Sequence, residues 1–450
     1  MNCKKILAGI LSAAMVFTTM AIPAFAEDTT EESGSTTITE AIKKANNGET
    51  VKLSSNVTES VNIAENKEIT LDLNGYTLTN AAGYDTIINK GNLTVIDSSE
   101  GKTGTVDNVS NGRAALINDE DATATLNGGT FMRSQEKGSD PYDNGTNSYY
   151  TVQNGGTMTI NEGVTVENKG AYSSNIANFG KSEKKTARLT VNGGTFSGGI
   201  NTLKNGEYGV LKICGGIFTN TVQSCIMNWD KANISGGEFN CSNDVDSVYN
   251  GSYTDTKVDF TMIGDLTITG GTFTGAIVAV NYGGQAKADP VTSISGGTFN
   301  TNVNSYCAEG FAPTKNADGT FTVKEKGITW DYGTDSGIYT AVDGNNYGVM
   351  RFMFSTDINA NDVTKIGIKY ISSKLENPTN GETAAGTNVE GETKKNAVQG
   401  DIIKIPTNNT NTYYAAAFIE VGGKTYWSAP ISCTLDKQRT LTGYTEGGNN

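Results

Sequence analysis

The chain has 450 residues, with 48 Asp and Glu against 34 Lys and Arg, a net charge of −14 and no histidine. This acidity disfavours nucleic acid and anionic membrane surfaces as partners and suits neutral or cationic ones. The missing imidazole removes His-activated nucleophiles and His metal ligands, and 54 Gly beside only 7 Pro point to many short strands joined by tight turns.

Residues 1–26 place Lys4 and Lys5 before an apolar run that ends in Ala24-Phe25-Ala26. This is the pattern of a secretory signal peptide cleaved after Ala26. The run is short and broken by Thr and Pro, and no later stretch is apolar enough for a membrane span. The expected mature chain is extracellular, secreted either freely or to the cell surface, with 32 basic against 48 acidic residues and a net charge of −16. Residues 27–50 read as a leader and a capping helix, on the amphipathic spacing of Ile38, Ala41, Ile42 and Ala45.

From 51 to 305 one phrase recurs: ATLNGGTF (124–131), LTVNGGTF (189–196), LKICGGIF (211–218), ANISGGEF (232–239), LTITGGTF (266–273) and TSISGGTF (292–299). Each copy has an aliphatic residue two positions before the first Gly and a Phe three positions after it. That predicts a strand with an inward aliphatic, a glycine corner and an inward Phe. A second ladder interleaves: Asn89, Asn118, Asn154, Asn178, Asn205, Asn228, Asn250 and Asn281, each two residues after Ile87, Leu116, Val152, Ile176, Leu203, Ile226, Val248 or Ala279. These Asn read as a repeated left-handed corner. Their spacing, 22 to 36 residues, is too uneven for propeller blades and fits a solenoid with loops of variable length. Such units bury their apolar rows only by stacking, which predicts an all-β chain, a parallel β-helix of eight or nine rungs at a spacing of ~4.8 Å.

Residues 36–80, with the helix and the coil LDLNGYTL, resemble the opening of right-handed, pectate-lyase-like parallel β-helices in secreted and surface proteins of gut Firmicutes. The GGTF rungs and residues 306–327, which end in a cap hairpin around Asn316-Ala317-Asp318-Gly319, resemble the same family. The resemblance implies architecture over residues 33 to about 327. After 327 the repeat stops. VMRFMFS and KIGIKYIS alternate, residues 413–433 read as a hairpin turning at Gly422-Gly423, and 376–400 reads as a polar loop or insertion. Residues 328–450 are expected to form a small antiparallel β-sandwich of immunoglobulin-like type.

Many proteins of this family cleave polysaccharides. The hydrolases carry a Gly-His-Gly motif, which a chain without His cannot hold. Lyases use an Arg or Lys base beside calcium-binding carboxylates. The densest acidic group is Asp119-Glu120-Asp121, with Arg113 and Arg133 near in sequence, a corner that is either a calcium site or solvated surface; GSDPYDNG (138–145) offers the same choice. No other cofactor is indicated. Cys214, Cys225, Cys241, Cys307 and Cys433 show no metal-ligand spacing and read as apolar fillers with at most one disulfide.

The residues after the ladder Asn are richer. Phe179, Trp229 and Tyr282 alternate with Gly206 and Gly251, and Tyr249 and Tyr253 lie near. If Asn178 to Asn281 occupy one corner on five rungs, the three rings stand two rungs apart, roughly 9.6 Å, with glycines leaving room between. Such rings either cover the corner or form a platform for sugar faces, with Trp229 central and Asp230 available to a hydroxyl. The reading is a non-catalytic secreted protein for adhesion or glycan recognition, its partner a glycan or a host glycoprotein such as a mucin or immunoglobulin. The alternative is a polysaccharide lyase or glycoside hydrolase of the same fold, and a third reading is a structural spacer.

Overall fold

The computed structural model describes residues 37–446, apart from 137–148, 243, 256–259, 283–285, 330–333, 341–343, 357, 359–362, 372–381, 390–396, 406–410, 422 and 436–440. The signal sequence and the loop 138–145 lie outside the described residues. Two compact units divide at residues 324 and 325.

The first unit begins with helix Ile38–Lys44. Thr37 caps it, its side chain accepting from the Glu40 amide at 3.2 Å. Ile38 and Ile42 point from the helix into the apolar core, so the helix covers strand ends that would otherwise be bare. A parallel β-helix with three faces follows, its strands paired rung to rung.

Face 1 stacks Val51, Leu71, Val95, Leu126, Ile160, Val191, Ile213, Ile234, Ile268 and Ile294 in register. Face 2 stacks Val57, Leu78, Val106, Phe131, Val166, Phe196, Phe218, Phe239, Phe273 and Phe299. From Phe196 to Phe299 the rings stack at centroid spacings of 4.6 to 5.0 Å, set by the strand spacing. The described rungs therefore exceed the expected eight or nine, reaching ten on faces 1 and 2. The hairpin Phe311–Lys315 and Phe321–Glu325 turns at 316–320, and Phe321 pairs with Phe299 on the last rung.

The recurring phrase now has a physical reading. The second Gly of each pair sits at positive φ, from 104° to 107° at Gly194, Gly216, Gly237, Gly271 and Gly297, where a side chain is strained. The first Gly lies on the rung beneath it. A Cβ at Gly236 would stand 2.3 Å from the Cys214 carbonyl oxygen, and one at Gly296 the same distance from that of Thr269.

The Asn ladder needs correction. Among the described residues, the non-glycine positions with positive φ are Asn74, Lys102, Asp121, Tyr208 and Asp244, and no ladder Asn is among them. Asn89 through Asn228 end the strands of face 3, Asn250 lies within strand Asp246–Asp255, and all these side chains turn inward and are fully buried. The same two-residue period that buries Ile87 buries Asn89. A buried amide needs partners, and each finds one in the next rung. Nδ2 donates to the following Oδ1 from Asn89 to Asn118, Asn154, Asn178, Asn205, Asn228 and Asn250, at 2.7 to 2.8 Å throughout.

Asn281 is not in this column. Strand Asp246–Asp255 runs past its corner into an antiparallel pairing with Phe260–Ile263. Strand Ile277–Asn281 then registers Ala279 against Asn250 and Asn281 against Ser252. Asn281 instead holds its own loop, donating to the Ala286 carbonyl and to Asp289.

The second unit is one antiparallel sheet system. Its strand order is Ile328–Thr329, Asn346–Thr356, Ala397–Ile405, Glu382–Val389, Lys365–Ile371, Thr412–Val421, Ile431–Leu435, Leu441–Glu446. Strand Lys424–Trp427 pairs back on Thr412–Val421, the expected hairpin. Phe354, Ile358, Ile368, Ala417, Ile419 and Ile431 are among its buried core. Residues 376–400 are not simply a loop: Glu382–Val389 pairs with Ala397–Ile405. Their Thr, Asn and Glu content hid the alternation.

Candidate aromatic groove on face 3

On face 3 the residues flanking each ladder Asn project outward, because alternate strand positions face opposite ways. Ala177, Lys204, Met227 and Tyr249 form one outward row in register, and Phe179, Gly206, Trp229 and Gly251, each following a ladder Asn, lie on successive rungs next to it. Phe179 and Trp229 therefore stand two rungs apart with Gly206 between them, as expected.

The predicted even row ends there. Val280, not Tyr282, follows Gly251 in register. Tyr282 is displaced toward Tyr253 by the extra pairing of Asp246–Asp255, and the two rings meet at 6.1 Å. Tyr282 also packs edge-on to Trp229 at 6.4 Å, and Tyr249 lies 5.8 Å from the same indole. The glycines do not both leave open space either. Trp229 lies over Gly251, where a Cβ would fall 2.5 Å from Cζ3.

The result is a groove of about 580 Å³, not a flat strip. Lys204, Gly206 and Met227 form its floor. Tyr150 and Phe179, 6.0 Å apart, stand on one side; Trp229, Tyr253, Met262 and Tyr282 stand on the other, with Glu207 also lining it. Tyr253 and Met262 are cross-strand partners in the antiparallel extension, so that extension builds the wall. Burial pushes the Lys204 ammonium below its usual range, with Glu207 opposing the shift. Lys204 makes no side-chain hydrogen bond among the described residues, and Glu207 is the charged group that acts on it. Burial likewise raises the Tyr150 phenol.

Tyr150, Lys204, Glu207, Met227 and Met262 were missed in the sequence. Lys204 and Met227 could have been found, since each immediately precedes a ladder Asn. Tyr249 supports Trp229 from beside the groove. Asp230 is half-buried, outside the lining, and its carboxylate accepts from the Tyr208 and Lys231 amides; burial nonetheless raises it above the usual carboxylate range.

The acidic corner follows Asn118 in the same column as the rings, two rungs before Phe179, and its carboxylates are taken up by lysines. Asp121 adopts φ 66° in the turn, Glu120 binds Lys181 at 2.8 Å, and Asp121 pairs with Lys185. Arg113 goes to Asp85 and Arg133 is buried against Glu136, so neither joins Asp119. Among the described residues no three Asp, Glu, Cys or His stand where one metal ion could reach them all. A second groove, of about 670 Å³, follows the GG corner, lined by its glycines with Glu162, Asn192, Thr195, Ile217 and Glu238 among the side chains and without a ring.

A parallel β-helix with a ring-walled groove on one face is the class that these features define. No family model matches the chain, and no curated protein and no solved structure matches it.

Proposed function

We propose that the chain is a secreted, non-catalytic binding protein that recognises a glycan, free or on a surface glycoprotein, in the face 3 groove. The observation that supports this most is the convergence of Tyr150, Phe179, Trp229, Tyr253 and Tyr282 around one groove whose floor carries the Lys204 amine. Aromatic faces take the apolar faces of sugars, and a few polar groups fix orientation. The β-helix serves as the rigid mount. The antiparallel pairing and apolar core of the second unit suit the immunoglobulin-like reading, and its part is that of an accessory module.

One observation favours polysaccharide lyase activity as a second reading. Lys204 combines the residue type of a lyase base with an ammonium lowered by burial, inside the groove. A glycan-array screen of the mature protein, run with an assay for new reducing ends on the same polysaccharides, tests both. Retention without cleavage supports the binding reading; new reducing ends that vanish in Lys204→Met support the lyase; neither retention nor cleavage defeats both.

A further inference from the structure

We propose that Cys225 and Cys241 are a redox pair that closes to a disulfide across one corner of the β-helix, tying two successive rungs. A periodic pair of positions leads to this. Two residues beyond the face 2 column stand Asn108, Asn220 and Cys241; one residue before the aliphatic column of face 3 stand Thr86, Thr202 and Cys225. On two rungs these positions join by a hydrogen bond, Asn108 Nδ2 to Thr86 Oγ1 at 3.1 Å and Asn220 Nδ2 to Thr202 Oγ1 at 3.2 Å. On the rung after Asn220 both members are cysteine, with the sulfurs 3.1 Å apart. The chain thus holds a thiol pair where the fold elsewhere makes a side-chain cross-tie.

The surroundings give the two thiols different roles. Cys225 is fully buried in the core, its sulfur 3.5 Å from the Phe218 carbonyl oxygen and 3.1 Å from the Cys241 sulfur. Cys241 is partly buried at the end of strand Glu238–Cys241 and less covered than Cys225, so an oxidant reaches it first. The hydrogen bond from Cys225 holds the Cys241 thiol down to about 7, while that bond and burial push Cys225 up.

With a low-molecular-weight disulfide as oxidant, the Cys241 thiolate attacks one of its sulfurs, releasing one small thiol and leaving a mixed disulfide. Cys225 then gives up its proton and attacks the Cys241 sulfur, releasing the second small thiol. The two protein thiols lose two electrons and the oxidant becomes two thiols. The link would pin strand Ser224–Asn228, which carries Met227 and leads into Trp229. It does not depend on what the groove binds.

The test treats the full chain with oxidised glutathione, alkylates under denaturing, non-reducing conditions and maps the tryptic peptides. The expected product joins Cys225 to Cys241, with fragment ions separating Cys225 from Cys214 in the same peptide, and no glutathione on Cys241. In Cys225→Thr, which restores one member of the pair used on other rungs, Cys241 should instead retain glutathione, because no second thiol can displace it. Recovery of both cysteines as alkylated thiols in the treated wild type would overturn the proposal, as would a stable glutathione adduct on its Cys241.

Discussion

The Trp229 indole lies across Gly251 of the next rung, so close that a methyl group there would stand 2.5 Å from Cζ3 and 2.9 Å from both Cε3 and Cη2. The Gly is therefore what lets the ring lie against face 3 and hold its place beside Tyr249 and Tyr282. Gly251→Ala should turn the indole out of this position while leaving the rungs folded. Its tryptophan emission should differ from wild type by a shift that is absent when the same substitution is made in Trp229→Ala, and glycan retention should fall several-fold. Unchanged emission and retention would mean that the ring does not rest there.

The amide ladder makes a sharper claim. Asn178 accepts from Asn154 and donates to Asn205, all three fully buried. Asn178→Leu leaves one or two buried amide groups short of a partner, at about 1–3 kcal/mol each. Asn178→Asp keeps the shape but loses the donor and buries a carboxyl. Burial raises that carboxyl's pKa above its unfolded value, so the variant should be closest to wild type in acid, below the unfolded pKa of about 4, and lose stability as pH rises through the folded value. Chemical denaturation at several pH values measures this; a wild-type-like pH profile would contradict the ladder.

Much of this was legible in the sequence, and the failures are specific. The inward Phe column and the GG corner followed from spacing alone, because strand period and glycine chemistry admit few other readings. The role of Asn178 did not, since Asn suits both a left-handed corner and a stacked inward amide; its two-residue spacing from Ile176 was the clue to the second. Tyr282 was misplaced because the antiparallel extension after Gly251 shifts the following strand by two residues, and no local pattern marks such a shift. Tyr150 enters from a segment without repeats and was invisible.

The face 2 stack should dominate stability. Phe218 is fully buried between Phe196 and Phe239, at 4.7 and 5.0 Å. Phe218→Ala should cost roughly 3–5 kcal/mol through lost burial and the cavity left behind. Thr190→Ala, on an outward position of face 1, should change the denaturation midpoint little. Equal midpoints for the two variants would reverse the assigned faces.

Acid sensitivity should trace in part to Asp97. Burial alone would raise this carboxyl, but amides from Gly104 at 2.6 Å, Ser99 at 3.1 Å and Gly75 at 2.8 Å outweigh it and hold the pKa below the ordinary value. A depressed folded pKa contributes stability above the unfolded value, about 4, that is lost as pH falls through the folded one. Asp97→Asn should therefore be destabilised at neutral pH and show a flatter stability profile below pH ~4. An unchanged acid limb would remove Asp97 from this role.

Glycan binding is proposed for the groove walled by Trp229 and Tyr282. Its most direct measurement is calorimetric titration of wild type, Trp229→Ala and Tyr282→Ala with the glycan that a printed array retains. One stacking ring contributes on the order of 1 kcal/mol, so each variant, shown folded by its unchanged denaturation midpoint, should bind several-fold more weakly. Wild-type affinity in both folded variants, or an array from which the wild type retains nothing, would contradict it.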